Sequence, residues 1–179
     1  MDVDSLISDV IEREGGFSDH PADKGGATRW GVTEAVARAH GYRGVMRHLP
    51  RDEAVAIYRR IYWLRPRFEQ VARLAPRLAA ELFDAGVNMG PPVAVGFLQR
   101  ALNALNRGAR DFPDIPVDRR IGPRTIEALA QFLRARSGGG EAVLLRAVEA
   151  LQGERYLTLA EQRPANEAFL YGWLANRLG

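Results

Sequence analysis

Three oxygen-bearing side chains lie near the start of this 179-residue chain, and their types suit the hydrolysis of a sugar polymer. Asp23 follows Glu14 after nine positions, and Thr28 follows Asp23 after five. A carboxylic acid, a carboxylate and a hydroxyl that holds water are the groups needed to cleave a glycosidic bond, because the acid protonates the leaving oxygen while the carboxylate activates water on the opposite face of the sugar. The glycines among them permit tight turns and the close approach of a bulky polymer.

Glu14 is positioned by the first predicted helix, over about residues 3–14, which ends at Gly15 and Gly16. At about 100° per residue, Glu14 lies only roughly 20° from Val3, on the apolar side of the helix. A carboxylate there is expected to be partly desolvated and to sit at the negative end of the helix dipole. Both effects raise its pKa, as a general acid requires. The alternative is a helix-end carboxylate paired with Arg13 or Lys24.

The other residues of the segment also have simpler interpretations. Asp23 could hold an Asx turn, and Thr28 could cap it. A cation site at Asp19, His20 and Asp23 would lack the oxygen ligands that calcium needs, so no metal and no cofactor is expected.

The rest of the chain reads as helical almost throughout, which predicts an all-α fold. Residues 15–32 are a loop or irregular hairpin, and residues 107–122 are a polar loop. No strand pattern of any length appears. Helices are predicted after Thr33, over 52–62, 76–87, from Pro92, over 123–134, over 141–161, and after Pro164.

Composition excludes several functions. The chain is 46% hydrophobic and has no cysteine, which excludes disulfides, thiol catalysis and cysteine-bound metals. Its net charge is +3 and its pI about 9.7, but the arginines are spread over many helices and read as solvated faces, so nucleic acid is not an expected partner. The acidic start is unlike a signal peptide, and no apolar stretch has membrane-spanning length. We expect a monomer, made in the cytoplasm, without stable membrane insertion.

The motif around the candidate site resembles that of a known family. Glu14–Phe17 and Pro21–Thr33 are similar to the signature of the glycoside hydrolase family 108 N-acetylmuramidases, which include phage endolysins and bacterial secretion activators. The segments 58–63, 83–90, 98–102, 118–125 and 169–174 resemble later parts of the family, including its peptidoglycan-binding segment.

This resemblance implies a lysozyme-like helical fold with a glycine-rich active-site loop after the first helix. It implies a catalytic lobe over 1–90 and a helical peptidoglycan-binding lobe over 91–179, packed as one compact unit. The implied reaction is hydrolysis of the β-1,4 bond between N-acetylmuramic acid and N-acetylglucosamine in glycan strands, at the cell wall, after holin-dependent or other export. Glu14 takes the position of the family's catalytic acid, and Glu14, Asp23 and Thr28 are similar in order and spacing to the triad of phage-type lysozymes.

Substrate contacts are expected from aromatic and amide side chains. Flat rings stack on N-acetyl sugars, and amides bond to glycan amides, although helical aromatics are more often core and amides can serve backbone groups instead. Arg29 is expected to be exposed and to meet peptide-stem carboxylates. The other candidates are Trp30, Tyr58, Tyr62, Trp63, Asn88 and Gln99.

One turn departs from the family pattern. The family's Asp-Gly-x-Ile-Gly reads Asp118-Arg119-Arg120-Ile121-Gly122 here, so an arginine replaces the first glycine. Two alternative functions remain: a lytic transglycosylase acting on the same bond, and a non-catalytic peptidoglycan-binding secretion factor.

Overall fold

The computed structural model describes residues 2–19, 26–136 and 138–177, and these are mainly helical. The chain forms two compact units, Met1–Arg65 and Pro66–Gly179. The prediction of an all-α, lysozyme-like fold is confirmed, with one small sheet that the sequence pattern did not reveal. Each unit is described below by itself.

The first unit combines short helices with that sheet. Its elements are α1 (Val3–Glu14), β1 (Phe17–Ser18), β2 (Thr28–Arg29), β3 (Val32–Thr33), α2 (Glu34–Ala39), a 3-10 turn (Met46–His48), α3 (Arg51–Tyr58) and a π-helical stretch (Arg59–Leu64).

Helix α1 has the bounds that the sequence predicts. The Asp2 carboxylate caps it by accepting a hydrogen bond from the backbone N–H of Asp4 at 3.0 Å. Ile7, Val10 and Ile11 are buried on one face. Gly15, with a φ of 82°, ends the helix directly after Glu14.

The sheet holds the glycine-rich segment in an antiparallel order, β1–β2–β3. Strand β2 pairs with β1 through Phe17 opposite Arg29, and with β3 through Arg29 opposite Val32. Trp30 and Gly31 form the two-residue turn between β2 and β3, and both have a positive φ. Two-residue turns of this kind match the right-handed twist of the strands that they connect. Strands of two residues are too short to leave an alternating pattern, which is why the sequence did not predict them.

The helix predicted over 52–62 is real but changes its winding. It runs as α3 to Tyr58 and then as a π-helix to Leu64. Such wide turns are rare and often occur at functional sites. The rings of Tyr58 and Tyr62 lie 5.3 Å apart along this stretch.

The second unit is a helical bundle. Its elements are α4 (Phe68–Ala72), α5 (Pro76–Met89), α6 (Pro91–Ala104), α7 (Pro123–Ala135), α8 (Gly140–Gln162), a 3-10 turn (Pro164–Asn166) and α9 (Glu167–Arg177). Prolines open α5, α6 and α7, where a missing N–H does no harm. The predicted helices of this unit are confirmed, although α6 begins at Pro91 rather than Pro92. Helix α4 was not predicted, because five residues carry too little periodicity.

Helix α5 carries a buried acid in this unit. The Oε1 atom of Glu81 is buried and has no hydrogen-bond partner among the described residues. Burial, followed by the negative charges of Asp84 and Glu149, raises the pKa of Glu81 from 4.5 to about 7. Glu81 is therefore largely protonated in the folded protein below neutral pH.

We expect the free energy of unfolding to fall as the pH rises through the range from about 4.5 to about 7. Between an unfolded pKa of 4.5 and a folded pKa of about 7, the folded chain keeps a proton that the unfolded chain has lost. The free energy of unfolding should drop by about 1–2 kcal/mol across it, after allowance for partial exposure. Glu81→Gln should remove this dependence, melting higher than wild type at pH 8 and alike at pH 4.5. The measurement is the melting temperature as a function of pH, with the exposed Glu161→Gln as control. If the melting temperatures of wild type and Glu81→Gln changed with pH in parallel, the assignment would be refuted.

Candidate active site

Glu14 is the last residue of α1 and its side chain is exposed. The prediction that it is partly desolvated on the apolar face is wrong. The buried stripe stops at Ile11, and the two residues that follow Glu14 are glycines with no side chain to cover it. Its carboxylate is therefore open to a large substrate. The alternative pairing with Lys24 concerns a residue outside the described part of the chain.

Gly31 packs directly against Glu14. A Cβ atom added to Gly31 would stand 2.3 Å from the Tyr58 hydroxyl oxygen and 3.0 Å from the Glu14 Cβ. Its φ of +72° is one that side-chain-bearing residues rarely adopt. The hairpin turn thus reaches the end of α1 and the phenol of α3 only because residue 31 is glycine.

Two tyrosines complete the surroundings of Glu14. Burial raises the pKa of Tyr58, and the charges of Glu14 and Tyr62 raise it further. Burial and then the Glu14 charge also raise the pKa of Tyr62. Both phenols consequently keep their protons at neutral pH and can donate hydrogen bonds beside the Glu14 carboxylate. Tyr58 is 4% exposed, whereas Tyr62 is half-buried and accessible from solvent.

Trp30 is fixed in the hairpin turn beside this cluster. Its indole Nε1 donates to the carbonyl of Leu49 at 3.1 Å, and its φ is 55°. A bulky residue at positive φ is strained, and such strain often occurs at functional sites. The ring is half-buried, so part of it faces solvent.

Arg29 does not have the exposure predicted for it. It is half-buried, its guanidinium donates to the carbonyl of Arg47, and it lies 5.1 Å from the centre of the Trp30 ring. These contacts with Arg47 and Trp30 cover part of the side chain, which is why it is less exposed than predicted. Arg29 therefore supports the turn that carries Trp30.

Thr28 lies in β2, and its half-buried hydroxyl donates to the carbonyl of Gly26 at 3.4 Å. Asp23 lies outside the described residues, as does His20 of the considered cation site. Asp19 is exposed. Within the described part of the chain, no three His, Cys, Asp or Glu side chains gather as a metal site would require.

The structure places two predicted sugar-binding residues in protein interiors. Trp63 is 4% exposed in the first unit, so the core interpretation holds for it. Gln99 is 1% exposed in the second unit, where its amide bonds to Asp118 at 2.8 Å and to the backbone N–H of Arg119 at 2.8 Å. Neither side chain faces a surface where glycan could bind, because periodicity and residue type do not distinguish an open helix face from a packed one.

Asn88 is exposed on α5 of the second unit. Its Nδ2 donates to the carbonyl of Asp84 at 2.8 Å and to the Asp84 carboxylate at 2.9 Å. Its own carbonyl oxygen is left to accept a bond from outside the helix.

The turn that departs from the family pattern keeps its backbone shape. Arg119 has a φ of 62°, the conformation that glycine adopts most readily. The Gln99 Oε1 atom accepts a hydrogen bond from the backbone N–H of Arg119, and a separate bond from Gln99 Nε2 lowers the pKa of the Asp118 carboxyl. The arginine therefore adopts a left-handed backbone conformation at this turn, which a glycine would adopt more readily.

Two residues of the Glu14 cluster were not recognised from the sequence in their actual roles. Gly31 was seen only as part of a motif, and Tyr58 only as a ring for stacking. A glycine directly after a tryptophan in a predicted turn is the signal that identifies a positive φ. Nothing in the sequence indicates that the Tyr58 hydroxyl reaches it, because 27 positions separate them.

Comparisons with known proteins show what each part of the chain resembles. Residues 7–90 match the family model described as glycosyl hydrolase 108, and residues 93–178 match a predicted peptidoglycan domain. The structure of Brucella abortus SagA is similar, with a TM-score of 0.68 and 22% identity over 97% of this chain and 87% of that one. No curated protein matches the sequence.

The lysozyme-like fold and these matched domains define a glycoside hydrolase that acts on peptidoglycan. The glycosyl hydrolase 108 match covers residues 7–90, somewhat less than half of the chain, and includes the Glu14 site. No described helix is long and apolar enough to cross a membrane. The two family models meet between residues 90 and 93, whereas the compact units divide after Arg65, so the predicted lobe boundary at residue 90 stays a prediction.

Proposed function

We propose that this protein is an N-acetylmuramidase that hydrolyses the β-1,4 bond between N-acetylmuramic acid and N-acetylglucosamine, with Glu14 as the general acid. The observation that carries the proposal is the placement of Glu14, exposed at the glycine turn and flanked by the protonated phenols of Tyr58 and Tyr62. The glycosyl hydrolase match that includes these residues supports it.

An exposed carboxyl group can still act as an acid once substrate covers it. A bound glycan strand brings the leaving oxygen of its glycosidic bond to the Glu14 carboxyl group and excludes water from the contact. The phenol O–H groups nearby can meanwhile donate to the carboxylate or to sugar oxygens. The catalytic arrangement is then completed by the substrate, and the free protein keeps an accessible site.

Asp23 is proposed as the base that activates water, with Thr28 placing that water. The Thr28 hydroxyl donates a hydrogen bond to the carbonyl of Gly26, so its oxygen can still accept a hydrogen bond from a water molecule. This assignment follows from the order of the three residues and from their resemblance to the lysozyme triad.

Substitution of Asp23 tests whether this residue, rather than another acid of the loop, is the base. We expect Asp23→Asn to slow hydrolysis by about 10²-fold or more, because the neutral amide cannot take a proton from water. Asp19→Asn is the matched control, since Asp19 is an exposed acid four positions away, and it should keep the wild-type rate. Equal rates for both variants in a turbidity assay would remove Asp23 from the mechanism.

Trp30 and Tyr62 are proposed to contact the sugars next to the cleaved bond. Trp30 is anchored through its indole nitrogen, which fixes the orientation of the ring at little entropic cost on binding. Asn88 is proposed to accept a bond from a glycan amide through its remaining carbonyl oxygen. We also propose that the chain acts as a monomer and reaches the wall by holin-dependent release or another export route.

The products of digestion test the reaction directly. Purified peptidoglycan should be digested, reduced with borohydride and analysed by mass spectrometry. Reduced muramic acid ends are expected from an N-acetylmuramidase. Reduced glucosamine ends would mean that the other glycosidic bond is cut, and anhydromuramic ends would identify a lytic transglycosylase. Binding to the wall without soluble fragments would indicate a non-catalytic protein.

A further inference from the structure

The second unit contains a cavity that the catalytic proposal does not use and that lies within the matched peptidoglycan domain. It has a volume of about 370 Å³ and lies between the irregular segment after α6 and the outer side of α7. This volume falls in the range of small-ligand pockets, about 300–1,000 Å³. Its lining includes Phe112, Asp114, Ile115, Arg124, Glu127 and Gln131.

One wall of this cavity is held by the side-chain amides of Asn103 in α6 and of Asn106 just after it. The buried Asn106 side chain donates to the carbonyl of Phe112 at 2.6 Å and to the Asp114 carboxylate at 2.8 Å. Asn103 donates to the carbonyl of Ile115 at 2.8 Å and accepts from its N–H at 3.0 Å. The segment 112–115 is therefore preorganised, which lowers the cost of binding a ligand.

The polar rim of the cavity carries both signs of charge. Arg124 is exposed and has no ion-pair or hydrogen-bond partner among the described residues. Glu127 accepts one bond, from Gln131 at 3.1 Å, and Asp114 accepts the bond from Asn106. Each carboxylate still has an oxygen for a ligand cation or N–H, while the Arg124 guanidinium is available to a carboxylate.

The floor is apolar but offers no open aromatic face. Phe112 is 4% exposed and Ile115 is 8% exposed. A sugar ring binds best by stacking on an open ring, which this floor does not provide. Small aliphatic side chains, such as that of alanine, fit this floor better. The charged residues of the rim can then bind charged groups of the same ligand.

We propose that this cavity binds the peptide stem of peptidoglycan, a short peptide that carries free carboxylates and, in many walls, the amino group of a diamino acid. A stem carboxylate pairs with Arg124, its amino or amide N–H groups meet Asp114 and Glu127, and its methyl groups cover the floor. The proposal rests on peptidoglycan as the substrate, and it assigns recognition of the peptide to the second unit while the first unit cleaves the glycan.

The test uses the full chain and two soluble probes. One is the tripeptide L-Ala-γ-D-Glu-meso-diaminopimelate, which contains no glycosidic bond, and the other is a chitin tetrasaccharide, which contains no peptide. The tripeptide should bind in calorimetry and shift the NMR signals of Ile115 and Ala128. Arg124→Gln should weaken this binding about tenfold or more, as expected for a lost charge-assisted bond.

Arg134→Gln is the matched control, because Arg134 is an exposed arginine on the same helix outside the cavity lining. It should bind the tripeptide as wild type does, and both variants should melt like wild type. No tripeptide binding, equal loss in both variants, or shifts at Ile115 with the tetrasaccharide instead would overturn the proposal. Glu14→Gln should bind the tripeptide normally, so failure of the catalytic proposal and failure of this one give different results.

Discussion

Glu14→Gln is expected to slow cell-wall clearing by about 10²–10⁴-fold, the contribution typical of a general acid. Glutamine has nearly the same size but cannot protonate the leaving oxygen of the glycosidic bond. Because Glu14 is exposed at the end of α1 and its removal leaves no cavity, the variant should fold and melt like wild type. The measurement is the turbidity of a peptidoglycan suspension over time, with protein concentrations matched.

Glu12→Gln provides the control for this change. Glu12 lies on the same helix, is exposed, and forms a surface ion pair with Arg51 at 3.3 Å. Such pairs contribute about 0–1 kcal/mol, so its loss should leave both stability and clearing almost unchanged. If Glu14→Gln cleared the suspension at the wild-type rate, another group would have to be the acid, and the proposed mechanism would fail.

Gly31→Ala is expected to destabilise the protein by about 2–5 kcal/mol and to reduce clearing strongly. One part of the cost is the positive φ, about 1–2 kcal/mol for a residue with a side chain. The other part is overpacking, about 1–3 kcal/mol, because the new Cβ would stand 2.3 Å from the Tyr58 hydroxyl oxygen. Tyr58 is 4% exposed and packs on Tyr62, so it cannot simply swing away.

The activity loss follows from the same contact. The added Cβ would also stand 3.0 Å from the Glu14 Cβ, so relief of the clash moves the proposed acid. A displacement of about 1 Å in a catalytic group can cost 10²-fold in rate. The rate at a temperature well below the melting point of the variant separates this loss from unfolding.

Two neighbouring glycines provide matched controls. Gly15 has a φ of +82° with nothing within 4 Å of an added Cβ, so Gly15→Ala should show only the backbone cost. Gly16 has the same free space and no positive φ, so Gly16→Ala should be almost neutral. Equal melting temperatures for all three variants would show that Gly31 is not a contact point.

A double variant tests the contact itself. Tyr58→Phe removes the hydroxyl that the new Cβ would meet, so Gly31→Ala should cost less in that background than in wild type. A double-mutant cycle gives this difference as a coupling energy. Strict additivity would show that the Tyr58 hydroxyl contributes nothing to the cost of Gly31→Ala.

Local sequence signals were sufficient to predict the long helices. The cap at Asp2, the apolar stripe from Ile7 to Ile11 and the stop at Gly15 define α1 within a single stretch of chain. Prolines and helical spacing did the same for α5 to α8. The sequence does not reveal helix α4 or the three strands, because elements of two to five residues are too short for their periodicity to be recognised.

Solvent exposure was the property that the sequence predicted least well. Glu14 was expected to be partly buried and is exposed, while Arg29 was expected to be exposed and is half-buried. Both errors have the same origin. Periodicity states which side of an element a residue occupies, but not whether another element covers that position.

The sequence by itself determined the helical fold, the place of Glu14 at a helix end, and the glycines that follow it, since helix periodicity, caps and turns depend on neighbouring residues. Only the tertiary structure decided that Gly31 lies against both the Tyr58 phenol and the Glu14 side chain, and that Gln99 holds the Arg119 turn from within. These contacts join residues far apart in the chain. They depend on packing between elements, for which no local pattern exists.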